Sequence, residues 1–155
     1  MERLIHKDKS VIVACDVPTL GRLGELVKQT HFVPGISGYK IGFELVEWYG
    51  FEAVMNTIGK IADTLVIYDK QKAGTDIPKL GSKFAGNCGN ALVDAVILFP
   101  FGGAETEREW IKACQEEGLT ILVGLDMTQP GFFWSEGGFV ADDAPERAFK
   151  IAMEN

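Results

Sequence analysis

The chain has 155 residues, 46% of them hydrophobic and 24% charged, a composition and length that allow one globular domain, 1–155, with a sizeable core. Fifteen basic against 22 acidic residues leave a formal charge of −7, which argues against nucleic acid as a partner but permits a local basic pocket for a small phosphorylated ligand. No apolar stretch approaches the roughly 18 residues that a bilayer demands, and charges interrupt the first ten positions, so neither a membrane partner nor a signal peptide is expected and a cytoplasmic location is.

In chain order, 10–17 (SVIVACDV) is a continuous apolar run ending near Asp16, the pattern of a strand buried on both faces. Residues 20–29 carry apolar side chains at helical spacing, 38–43 (GYKIGF) read as a second strand, and 44–61 as a helix interrupted by Gly50. A third strand over 64–69 (TLVIYD) precedes a glycine-broken helix over 77–92. The fourth strand, 95–99, leads to a helix over 104–117 with an acidic first turn and a stop at Gly118. A fifth strand over 120–125 (TILVGL) runs into a glycine- and aromatic-rich loop, and a last helix, 145–153, is opened by Asp142 or Asp143. Five strand-then-helix units without hairpin signals mean an α/β protein with a parallel sheet and crossover helices.

Polar residues recur at the carboxyl ends of these strands: Asp16, Asp69 with Lys72, and Asp126 with Thr128, together with Lys40 inside the second. Chemistry distributed over many strand ends is the habit of a βα-barrel. A doubly wound sheet would place a glycine-rich turn after its first strand, whereas this chain has DVPTLG. A complete eight-unit barrel takes about 250 residues and only five units are visible, so either three units are missing or the sheet is closed some other way.

Cys15, Cys88 and Cys114 are widely separated and show no metal-ligand spacing, so reduced thiols are expected, Cys15 in the core, and no metal site is. His6 and His31 both precede the second strand, which disfavours a histidine-centred triad. The richest segment is 68–78, YDKQKAGTDIP, where Asp69, Lys70, Lys72 and Asp76 follow an apolar strand. Carboxylates and ammoniums held together fix each other's ionised state and build a strong local field. Lys40 lies in an apolar strand, where an unpaired ammonium is costly; it calls for a carboxylate, and the strand ending at Asp69 is its expected neighbour. Glu105, Glu107 and Glu109 read as a solvated helix N-terminus, and Phe132, Phe133 and Trp134 as either a lid over a bound base or a loop packed on its own domain.

Taken in order, VACDVP, YKIGFELV, YDKQKAGTDIP, LFPFGG and LDMTQPG resemble the successive strand-end motifs of the orotidine 5′-monophosphate decarboxylases, in the archaeal style of that family. The resemblance runs from Val11 to the C-terminus and implies a (β/α)₈ barrel type of which about the first five βα units are present. It implies metal-free and cofactor-free conversion of orotidine 5′-monophosphate to uridine 5′-monophosphate, in pyrimidine biosynthesis. It also implies a catalytic network of Lys40, Asp69, Lys72 and Asp76, and substrate contacts from Asp16 to the ribose, Thr128 to the pyrimidine, and Ile77 and Pro130 nearby. The related sugar-phosphate decarboxylases and aldolases, which use magnesium, typically carry glutamate where this chain has Lys40, and they form the alternative enzyme reading.

The acids and lysine read Asp69-x-x-Lys72-x-x-x-Asp76, longer than the family's Asp-x-Lys-x-x-Asp. Side chains two apart on a strand share a face, so this spacing requires a bulge or an early strand end. Lys70 remains a rival to Lys72, which is preferred because Lys70 would point to the opposite face of a regular strand. The family's phosphate-gripping loops follow strands seven and eight, beyond the five units seen here. The expected partners are therefore a second copy, as a homodimer, or a complementing chain, and an inactive truncated barrel serving as an assembly subunit is the non-enzyme alternative.

Overall fold

The computed structural model describes residues 4–155. Its strands are β1 (Val11–Cys15), β2 (Ile36–Gly42), β3 (Leu65–Asp69), β4 (Ala95–Leu98) and β5 (Thr120–Val123). They alternate with helices α1 (Leu20–Thr30), α2 (Phe43–Gly59), α3 (Gly81–Asn90), α4 (Ala104–Glu116) and α5 (Ala144–Glu154). All strand pairs are parallel, and the order across the sheet is β1-β2-β3-β4-β5. Right-handed crossovers that always step in one direction put every helix on the same face. This is the wall of a barrel rather than a doubly wound sheet, whose order would reverse at its middle.

The two sheet faces follow from the period of two along each strand. Cys15, Ile41, Tyr68, Val96 and Ile121 stand in register on the helix side and join the main core with Leu23, Val27, Leu45, Val54, Ile58 and Trp110. The opposite face carries one row of Ala14, Lys40, Ile67, Ala95 and Thr120, and above it a row of Gly42, Asp69, Ile97 and Leu122. Both lysine and aspartate thus lie on the face that the helices leave free.

Local sequence explains the element ends. Thr19 caps α1 by accepting the Arg22 amide at 3.2 Å. Gly50, at φ 76°, breaks α2 where the sequence marks a break, because only glycine takes that backbone without strain. Several element ends shift by one or two residues, and three features differ from expectation more clearly. Residues 77–92 are not one helix: a 3₁₀ turn over Pro78–Leu80 precedes α3, since proline fixes the entry but donates no hydrogen bond. β5 ends at Val123, leaving Gly124 and Leu125 in the following loop. β1 is not buried on both faces; Val11 is 57% exposed and of its five residues only Cys15 is buried, because β1 is an edge strand with a neighbour on one side. The three cysteines are free, as their spacing suggests, and all three are buried.

Candidate active site

β2 and β3 lie side by side, and Lys40 is in register with Ile67, two residues before Asp69. From there its ammonium reaches diagonally up the face to Asp69 Oδ2 at 2.7 Å, the carboxylate partner that its position calls for. The pair is partly shielded, with side-chain exposures of 29% for Lys40 and 10% for Asp69. Asp69 Oδ1 is buried and has no hydrogen-bond partner among the described residues. An acceptor left in that state costs about 1–3 kcal/mol, so this oxygen is set to receive a further donor.

β3 stops at Asp69 because the backbone then closes a turn. The Ala73 amide donates to Lys70 O at 2.7 Å, and the Thr75 hydroxyl and amide both donate to Lys72 O, at 2.6 and 3.2 Å. Gly74, at φ 86°, lies so close to the end of β4 that a Cβ there would sit 3.2 Å from Phe99 O. The Phe99 amide in turn donates to Ala73 O at 2.7 Å. An early strand end, rather than a bulge, therefore accounts for the lengthened spacing between Asp69 and Asp76.

Within that turn Lys72 is exposed and forms no ion pair among the described residues. Lys70 turns toward α2, where its ammonium is 3.8 Å from Glu47 Oε1. Both lysines border a cavity of about 150 Å³ with Phe43, Glu47 and Gln71. Asp76 is exposed, and its Oδ1 accepts the Ile77 amide at 2.7 Å. Ile77 is 58% exposed. Of the four residues expected as a network, Lys40 and Asp69 are in contact, while Lys72 and Asp76 stand outside ion-pairing distance of them and of each other.

Asp16 follows β1 and is exposed. Its Oδ1 occupies space that a side chain at position 42 would contest, lying 3.4 Å from where a Cβ on Gly42 would stand. Gly42 is in register with Asp69, which places Asp16, Gly42 and Asp69 across the carboxyl ends of three consecutive strands. Thr128 and Pro130 are exposed in the loop after β5. Farther along that loop, Phe132 meets Phe101 with ring centroids 5.8 Å apart, and Phe101 stacks on Phe99 at 6.3 Å. Phe132 thus packs on its own domain, whereas Trp134 stays 73% exposed.

Two residues that sequence reasoning missed brace the Asp76 segment from α4. The Thr106 hydroxyl donates to Asp76 O at 3.1 Å, and the Trp110 indole N–H donates to Ile77 O at 3.2 Å. Their spacing of four residues on one helix face was visible, but its target lies 30 residues away and has no local signature. Glu107 is the clear correction: it is 2% exposed rather than solvated, whereas Glu105 and Glu109 are exposed. Burial raises its carboxyl from 4.5 to about 7, opposed in part by Arg108. Burial likewise pushes the Cys15 thiol up to about 12 and the Tyr68 phenol above its usual range.

Known structures share this architecture. Orotidine 5′-monophosphate decarboxylase from Methanocaldococcus jannaschii superposes with a TM-score of 0.78 over 94% of this chain and 66% of its own, at 21% identity. The same enzyme complexed with the inhibitor BMP gives 0.71 over 93% and 61%, at 22% identity. Orotidine 5′-phosphate decarboxylase from Pyrococcus horikoshii OT3 gives 0.69 over 93% and 62%, at 23% identity. The chain spans about two thirds or less of the length of these proteins. At such identities the likeness establishes the fold, a βα-barrel type of which this chain forms part. No protein-family model matches the sequence, and no curated protein matches it significantly.

Proposed function

We propose that this chain carries the catalytic strands of an orotidine 5′-monophosphate decarboxylase and releases carbon dioxide from that nucleotide to leave uridine 5′-monophosphate. The observation that carries this reading is the Lys40–Asp69 contact of 2.7 Å with Asp69 Oδ1 left unpartnered. It sits at the carboxyl ends of parallel strands, where barrels concentrate their chemistry. The fold neighbours that bear this activity, and the five strand-end motifs in matching order, support it.

In the proposed reaction Asp69 stands against the substrate carboxylate. The bond from the pyrimidine ring to that carboxylate breaks, carbon dioxide departs, and the electron pair remains on the ring carbon. The Lys72 ammonium stabilises the developing charge and transfers its proton to that carbon. Lys40 orients Asp69 through their ion pair, and Asp76, reaching in from a neighbouring subunit, aligns Lys72. Closing the 70–76 turn over the nucleotide would bring Lys72 toward the free Asp69 oxygen. Asp16 would contact the ribose, and Thr128, with Ile77 and Pro130, the pyrimidine.

The protein is proposed to work in the cytoplasm as a homodimer or with a complementing chain. Exposed apolar groups on the edge strands, Val11 at 57% and Leu122 at 42%, favour such association. Substituting Lys72→Ala tests the chemistry: turnover should vanish while the thermal unfolding transition stays intact. Retained turnover, with Lys70→Ala inactive instead, would transfer the proton-donor role to Lys70.

A further inference from the structure

On the helix side of the sheet, away from the face that carries Lys40 and Asp69, a cavity of about 330 Å³ opens between α4, α5 and the loops after β4 and β5. Its size lies at the lower end of small-molecule pockets, roughly 300–1,000 Å³. Pro100, Phe101, Leu125, Phe139 and Ile151 give it an apolar lining. Glu107 also lines it, 2% exposed, and its Oε1 is buried with no hydrogen-bond partner among the described residues. The nearest guanidinium on the lining, that of Arg147, is directed outward: it is 63% exposed and paired with Asp143 at 3.1 Å.

A buried carboxyl with a vacant acceptor, walled by hydrocarbon, is unfavourable unless something donates to it. An ammonium does this best, since a charge-assisted hydrogen bond in a poorly solvated pocket is stronger than a neutral one. The surrounding hydrocarbon selects an apolar body for the same molecule. We propose that this cavity binds a small organic cation, an ammonium on an apolar body, with Glu107 as its counter-ion. Burial raises the Glu107 carboxyl, and a bound cation should lower it.

Titration of the intact chain with benzylammonium, followed by two-dimensional NMR, tests this. The expected result is saturable shifts at Leu125, Ala148 and Ile151. Benzyl alcohol should bind about tenfold more weakly, and Glu107→Gln should weaken benzylammonium by about tenfold. Should Glu107→Gln fail to fold, Ala148→Leu narrows the cavity from α5 without touching the carboxyl and must produce the same loss. The proposal is overturned by an absence of saturable binding, by equal affinity for the alcohol, or by a folded variant that binds unchanged. Binding that emerges only in Arg147→Ala also overturns it, because the internal guanidinium would then be the occupant.

Discussion

Lys40 does not face Asp69 directly across the sheet; it stands one row below it on the adjacent strand and reaches diagonally to Oδ2 at 2.7 Å. The direct register partner of Lys40 is Ile67, and that of Asp69 is Gly42. The ammonium therefore rises over a position without a side chain, leaving the second oxygen of the carboxylate to other donors.

Breaking this pair from one side should be costly. Lys40→Met is expected to destabilise the protein by about 2 kcal/mol, read from urea unfolding, because Asp69 is left nearly buried without its counter-ion. Adding Asp69→Leu should recover most of that loss, since the partnerless charge is gone. Failure of the double variant to recover would mean that the site is held by contacts other than the ion pair.

Glu107 gives stability a pH dependence of defined sign. Its carboxyl is raised in the folded state from 4.5 to about 7, so folding favours the protonated form. Below pH 4.5 both states are protonated and no penalty applies. Between 4.5 and about 7 the unfolded chain ionises first, and stability falls as pH rises; above about 7 the loss is complete. Glu107→Gln should remove this component, so the variant's stability relative to the parent should increase from pH 5 to pH 8 in matched urea titrations. An advantage that is constant with pH would refute the assignment.

The thiols should be inert in the native protein. Cys15, Cys88 and Cys114 are buried, and each is raised to about 12 by desolvation. A thiol-reactive dye at pH 8 should label none of them until denaturant is added; rapid native labelling of any one would show that its part of the core opens.

Much of this arrangement was legible in the sequence, and the exceptions share a cause. An ammonium in the apolar run YKIGF required a carboxylate, and the parallel order supplied Asp69 from the next strand. The spacing from Asp69 to Asp76 required a bulge or an early strand end, and the turn braced against Phe99 supplies the second. Glu107 escaped notice because the run around it, AETERE, is polar on every side in sequence; its burial is a tertiary effect that no local pattern marks. The exposure of β1 was equally hidden, since an apolar run does not reveal how many neighbours a strand has. Neither was the brace from Thr106 and Trp110 readable, because it joins a helix face to backbone carbonyls that carry no residue identity.

Association should be measurable directly. The sheet ends in β1 and β5, and α5 exposes Phe149 at 63% and Met153 at 71%, one turn apart on the same face. Light scattering at micromolar concentration should give a mass above that of a single 17.0 kDa chain. A monodisperse monomer with one cooperative melting transition would exclude the proposed assembly and imply that the open edges are stable in water.

The most direct test of the central claim is the decarboxylation rate of orotidine 5′-monophosphate by the assembled protein, compared among the parent, Lys72→Ala and Lys70→Ala. The proposed chemistry predicts turnover in the parent and in Lys70→Ala, and none in Lys72→Ala despite an unchanged melting transition. No turnover in the assembled parent, or undiminished turnover in Lys72→Ala, would contradict it.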